Sequence, residues 1–244
     1  MFLASTAGRH HLEHALPCQD AVFHRLVGDA FVGAVCDGAG SALEGRCGAQ
    51  FLAAAVVTRI AEALGLGEWP RQEPAAALRA AVGGARDGLQ ALADERGLEL
   101  RDFATTLIGC VGSPAGGCFF HVGDGYGVLQ GSTGEAVLSP PENGEYADQT
   151  YFVTDDAWAG HLRLTPFAAT HPGALIGLMS DGTSPFAIDR ARTGFYRPFI
   201  DPVTRFLAQA DEEQGNRALR SLLEDEKTHA ITADDKTLLL AMAG

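Results

Sequence analysis

Hydrophobic and polar positions alternate between two regimes along the chain, and each change of period marks an element. Short, β-branched apolar runs at 20–27 and 30–36 are separated by Gly28-Asp29, the signature of a hairpin. From Ser41 the spacing turns helical. Ser41 with Glu44 three residues on has capping-box form, which predicts a helix over 41–64. A linker at 65–74 leads to a second helix over 74–96, whose Gly83, Gly84 and Gly88 either weaken it or pack it closely on a neighbour. Strand-like runs return at 103–111, 118–122, 127–130 and 136–138. The stretch 139–167 reads as irregular, with one strand-like piece at 150–154. A strand at 174–179, helices near 198–209 and 216–226, and a last strand at 237–241 complete the pattern.

Strands and helices do not alternate regularly, so a doubly wound parallel sheet fits poorly. Two antiparallel-rich sheets with helices packed outside fit better, an α+β arrangement. No repeat or low-complexity segment interrupts the 244 residues, which predicts a single domain over 1–244.

Charge narrows the class. Thirty-one acidic residues against 18 basic give a net charge of −13, which disfavours nucleic acid and anionic membranes as partners and suits a protein that collects divalent cations. The first residues lack the basic start and apolar run of a signal peptide, and the most apolar stretch, 51–57, is too short to span a bilayer. Five cysteines without a Cys-x-x-Cys pair predict reduced, buried thiols and a cytoplasmic location.

The candidate chemistry lies where apolar strands run straight into Asp-Gly: Phe31 to Asp37-Gly38, Cys118 to Asp124-Gly125, and Ala174 to Asp181-Gly182. A fourth acidic pair, Asp234-Asp235, precedes the last strand. Glycine allows a sharp turn and leaves the carboxylate open to an ion. Hard divalent cations want several oxygen ligands, and carboxylates at converging strand ends supply them. A single Asp-Gly is more often a turn than a ligand, and Asp87-Gly88, inside the second helix, is such a case. Three strands ending alike, plus the acidic pair, point instead to a shared metal site.

Six motifs in order carry a family resemblance: Gln19-Asp20-Ala21, the run from Val35 to Ser41, Ala104-Thr105-Thr106-Leu107, the run from His121 to Asp124, Met179-Ser180-Asp181-Gly182, and Asp234-Asp235-Lys236-Thr237. Together they resemble the metal-dependent serine/threonine protein phosphatases of type 2C, in their compact bacterial branch. The resemblance implies a four-layer α-β-β-α sandwich with two central, mostly antiparallel sheets. It implies two Mn²⁺ or Mg²⁺ ions, with Asp37 as the catalytic bridging ligand and the Gly38 carbonyl beside it. Asp181 and Asp234 would hold the first ion, Asp20 would reach the second through water, and Asp124 with Asp181 would form a third, weaker position. Thr105 and Thr106 would be structural. The implied reaction is direct attack of a metal-bridging hydroxide on the phosphorus of phosphoserine or phosphothreonine, without a covalent intermediate.

Several positions depart from that family. Gln19 stands where many members carry a glutamate, Ala39 replaces a histidine that some offer as a general acid, and Gly125-Tyr126 replaces Ser-Arg. Ala15 falls where an arginine often binds the substrate phosphate, and Arg9 or His11 is left to substitute, with His11 favoured. The segment 144–154 resembles a stretch of the bacterial branch whose members work beside a protein kinase. That implies a phosphorylated protein substrate, a cognate kinase as a further partner and a role in bacterial signalling. A surface hairpin explains the same segment equally well.

Other chemistries have less support. His10 and His14 have i,i+4 spacing but no further zinc ligands, which favours a solvent-facing or supporting role. Gly38-Ala-Gly40 lacks the third glycine of a dinucleotide fingerprint. The two lysines, Lys227 and Lys236, lie outside any Gly-rich phosphate loop, and no Gly-x-Ser-x-Gly elbow exists. Two readings stand: an active phosphatase, or a catalytically weak or inactive family member that binds phosphoproteins as a regulatory module.

Overall fold

Strands whose residues are apolar on both faces must be covered on both sides, and that requirement organises the chain into layers. The computed structural model describes residues 1–67, 69, 74–142, 150–168 and 171–242. In chain order the elements are β1 (Phe2–Thr6), α1 (Arg9–Glu13), β2 (Asp20–Val27), β3 (Ala30–Asp37), α2 (Gly45–Gly65), α3 (Ala75–Arg96) and a 3₁₀ turn (Leu100–Phe103). Next come β4 (Leu107–Ser113), β5 (Gly116–Val122), β6 (Tyr126–Gln130), β7 (Ala136–Ser139), α4 (Trp158–His161), β8 (Arg163–Phe167) and β9 (Leu175–Met179). The chain continues through α5 (Ser184–Ala187), α6 (Arg197–Leu207), α7 (Glu212–Leu223), α8 (Glu226–Ile231) and β10 (Lys236–Met242).

Two five-stranded antiparallel sheets result, ordered β1-β10-β9-β6-β7 and β2-β3-β4-β5-β8. Side-chain alternation builds three cores. Val35, Ile108, Phe119, Leu178 and Leu239 meet between the sheets. Val32, Ala34 and Cys36 point the other way, onto Leu52, Val56 and Val82 of α2 and α3. Leu238 and Leu240 flank Leu239 and pack with Ile200, Leu207 and Leu219 of α6 and α7. The result is the expected α-β-β-α sandwich. By length and apolar composition α2 could cross a membrane, yet nine of its residues are buried, its apolar side chains in the core shared with the second sheet and α3.

Several expectations are corrected. Ser41 does not cap α2, which starts at Gly45, and Glu44 pairs with Arg96 at 3.3 Å. The loop from Gly38 folds so tightly onto Gly45 that the helix cannot begin earlier: a side chain at Gly45 would approach the Ala39 carbonyl to 2.6 Å. The run at 103–111 divides into the 3₁₀ turn and β4. Residues 150–154 do not form a strand of either sheet. The segment's strand is β8, which sits at a sheet edge where Pro166 is tolerated. β1 was not foreseen at all. The glycines of α3 do pack closely, Gly84 against Arg59 and Gly88 against the Phe51 ring. Most of the motif at 144–154 lies outside the described residues.

Candidate metal centre

The sheets deliver their acidic strand ends to one rim of the sandwich. Asp37 ends β3, Asp124 follows β5, Asp181 follows β9, and Asp234-Asp235 leads into β10. Thr105 Oγ1 donates to the Asp37 carbonyl at 2.9 Å and the Asp37 amide donates to Thr106 Oγ1 at 3.1 Å, so two buried threonines fix the strand end. Gly38 and Gly182 matter here for space rather than for turning. Neither adopts the left-handed conformation, but a side chain on Gly38 would collide with the Gly45 backbone and one on Gly182 with the Asp235 carbonyl.

Oxygens of Asp37, Asp124 and Asp181 lie within 4.8 Å of one another. Asp20 faces Asp37 across the β2–β3 pair and is buried behind it, where Ser180 Oγ donates to its Oδ2 at 2.7 Å. Asp234 stands beside Asp181, its Oδ2 accepting from Thr232 Oγ1 at 3.2 Å. Gly38 borders the same space. The sequence-derived candidates thus gather around one cleft, with Asp20 beneath it and Asp234 at its flank.

This crowding is costly without compensation. Burial pushes the Asp20 carboxyl up to about 7, opposed by hydrogen bonds from Ser180 and Thr237 and reinforced by Asp235 and Asp181. Burial also raises Asp37 well above the usual carboxylate range, with Asp20, Asp181 and Asp124 adding to it. Asp181 is pushed up to about 6 by burial, then by Asp124 and Asp234. One buried oxygen on each of Asp20, Asp124 and Asp181 has no hydrogen-bond partner in the protein. Buried, mutually repelling, unpartnered carboxylate oxygens at this spacing fit hard divalent cations, which satisfy the lone pairs and offset the charge.

The cleft has a volume of about 510 Å³, and no Arg or Lys borders it among the described residues. Arg9 is exposed and lies 3.9 Å from Glu13. His11 does border the cleft, with Nδ1 at 2.7 Å from Asp235 Oδ1. His10 and His14 are exposed, and the His14 ring bonds the His10 carbonyl at 2.8 Å. Asp235 is the residue whose role was not foreseen. It is buried and accepts from the Gly8 amide, the Gln19 amide and His11, tying three N-terminal positions to the start of β10. Its position in a tandem acidic pair is the only local signal for that role.

Residues 7–224 match the family model described as protein phosphatase 2C. Serine/threonine-protein phosphatase 3 of Escherichia coli (strain K12) is 31% identical over 250 residues, covering 98% of this chain and 96% of its own. The serine/threonine phosphatase PstP/Ppp of Mycobacterium tuberculosis shares the fold with a TM-score of 0.63 at 18% identity, over 99% of this chain and 97% of that one. RsbX, crystallised with magnesium, does so with a TM-score of 0.57 at 13% identity, over 99% and 94%. With the carboxylate-lined rim and the two-sheet sandwich, these matches lead to one statement: the chain belongs to the protein phosphatase 2C family, a family of phosphoric monoester hydrolases.

Proposed function

We propose that this chain is a cation-dependent phosphatase that removes phosphate from phosphoserine and phosphothreonine in protein substrates, acting as a single domain over 1–244. The observation that carries the reading is the trio of Asp37, Asp124 and Asp181 oxygens within 4.8 Å, bordering an open cleft and flanked by Asp20 and Asp234. The name of the 31% identical relative, a serine/threonine-protein phosphatase, supports the same substrate class.

Asp37, Gly38 through its carbonyl, Asp181, Asp234 and Asp20 would hold two Mn²⁺ or Mg²⁺ ions, and Asp124 with Asp181 a third, weaker one. Bound there, such ions supply an acidified water as nucleophile and offset charge on the phosphoryl oxygens. The protein's own residues supply position. Thr105 and Thr106 hold the Asp37 backbone, Ser180 orients Asp20, and Thr150 Oγ1 donates to Asp124. Direct attack suits the surroundings, because burial raises the Cys18 and Cys36 thiols and keeps them protonated and unreactive. With no Arg or Lys bordering the cleft among the described residues, the substrate phosphate depends on the ions and on His11. A cytoplasmic phosphoprotein, with its cognate kinase as the opposing activity, is the partner class proposed.

Hydrolysis of p-nitrophenyl phosphate and of a phosphothreonine peptide, with Mn²⁺ and then with EDTA, tests the proposal. Turnover should require Mn²⁺ and vanish in EDTA, and persistence in EDTA would overturn it. The cation-poor cleft favours one second reading, a phosphoprotein-binding module with little turnover. Mn²⁺ and phosphopeptide binding without hydrolysis would select that reading instead.

A further inference from the structure

Hydrolysis of a serine or threonine phosphate expels an alkoxide, a very poor leaving group unless it is protonated as the bond to phosphorus breaks. Among the described residues that border the cleft, His10 and His11 carry the only imidazoles, the side chain suited to deliver a proton. His10 is exposed, and its ring lies 4.6 Å from that of His14. His11 is half-buried and anchored.

The anchor is specific. Pairing of β1 with β10 brings Gly8 and α1 to the cleft rim, and the His10 amide donates to the Ala233 carbonyl at 3.1 Å. Asp235 is immobilised by the Gly8 amide at 2.7 Å and by the Gln19 amide, and it takes its third bond from His11 Nδ1 at 2.7 Å. A carboxylate only accepts, so Nδ1 donates and Nε2 is the ring nitrogen left for the cleft. A histidine fixed in tautomer and orientation by a buried carboxylate is the arrangement that proton transfer needs.

We propose that His11, positioned by Asp235, is the general acid that protonates the leaving oxygen of the substrate. The assignment rests on the phosphatase reading above. In the step, the oxygen of water forms a bond to phosphorus and releases a proton to solvent. The phosphorus–oxygen ester bond breaks, and its electron pair stays on the serine or threonine oxygen. The Nε2 proton of the His11 imidazolium passes to that oxygen, giving the free hydroxyl and neutral His11, which regains a proton from solvent. Asp235 is a positioning residue, since it acts only through the ring.

The test exploits leaving groups of different basicity. For wild type and His11→Asn, the rates of a series of aryl phosphates with increasingly basic phenols and of a phosphothreonine peptide are measured with Mn²⁺. Asparagine keeps a donor for Asp235 and removes the proton that Nε2 would deliver. The variant should lose about 100-fold more on the peptide than on p-nitrophenyl phosphate, steepening the dependence on leaving-group basicity. An equal loss on every substrate would mean that His11 only binds phosphate or supports the structure, and rates unchanged on every substrate would mean no role; either overturns the assignment. Independently of activity, long-range ¹H–¹⁵N spectra of the metal-free wild type should show neutral His11 protonated at Nδ1, and an Nε2-protonated ring also overturns it. Wild type inactive on every ester would instead sink the phosphatase reading.

Discussion

The two ends of the sandwich contain cavities of opposite character. At one rim, six aspartates crowd around or beneath a cleft of about 510 Å³. At another edge, beyond the β2–β3 turn, a cavity of about 320 Å³ is lined by Met1, Leu26, Phe31, Ala174 and Ile176 with few polar groups. The apolar cavity has ordinary packing neighbours, and the one acidic residue along it among the described residues, Asp29, is exposed to water. The acidic cleft carries a free-energy cost that protons or a bound cation would relieve. Electrostatic strain, rather than a greasy hollow, is what singles out the acidic cleft as the candidate site.

The largest expected effect sharpens that contrast. Asp37→Asn should lower Mn²⁺-dependent turnover at least about a thousandfold, since an ion bound at this position would supply several kcal/mol of charge stabilisation. The same variant should raise the unfolding temperature of the metal-free protein at pH 8, because a permanently neutral amide replaces a buried carboxyl that repels its neighbours. A turnover assay and a melt in EDTA read the two outcomes, and a less stable metal-free variant would contradict the strain argument.

At the apolar end the signs reverse. Ile176→Ala should cost about 2–5 kcal/mol of stability through the cavity it leaves, with turnover per folded molecule retained. Denaturant unfolding and a rate normalised to folded protein check this, and a selective loss of rate would show the two ends to be coupled.

Smaller again is the response to pH and metal. The folded-state values of about 7 for Asp20 and about 6 for Asp181 lie above the unfolded carboxylate value, so the folded state binds protons more tightly. Their contribution is fully present at acid pH and is lost as pH rises through about 6 and 7. Metal-free protein should therefore melt lower at pH 8 than at pH 5.5. Saturating Mn²⁺ should add about 2.7 kcal/mol at a hundred times its dissociation constant and flatten the slope. Equal melting curves in EDTA across that range would count against the crowded-carboxylate account.

The smallest effect concerns the fourth Asp-Gly. Asp87 is exposed on α3, and Asp87→Asn should alter stability by no more than about 0.5 kcal/mol. Any Mn²⁺-dependent phenotype there would break the link between strand ends and the cleft.

Asp37 and Asp87 also show what a sequence can disclose. Both precede glycine, but only the first ends an apolar strand, and that local context separates ligand candidates from ordinary polar positions. The alternating cores of β3 and β10 were legible for the same reason, since their periodicity is local. β1 was not legible: its five residues are a weak strand signal, and its partner, β10, lies over 200 residues away in the chain. The false cap at Ser41 failed because the close approach of Gly38 to Gly45 overrides a helix-start motif. Asp235 and His11 were opaque as a pair because their contact is created by that distant strand pairing.

Since Asp235 leads into β10, which pairs with β1, the cleft is a late product of synthesis. A ribosome that has translated the first nine strands has not yet made Asp181, Asp234 or Asp235, so Gly8, His11 and Gln19 still lack the carboxylate that gathers them. Hydrolytic competence should therefore switch on only after release of the final strand, and a nascent chain would remain harmless to phosphoproteins until then.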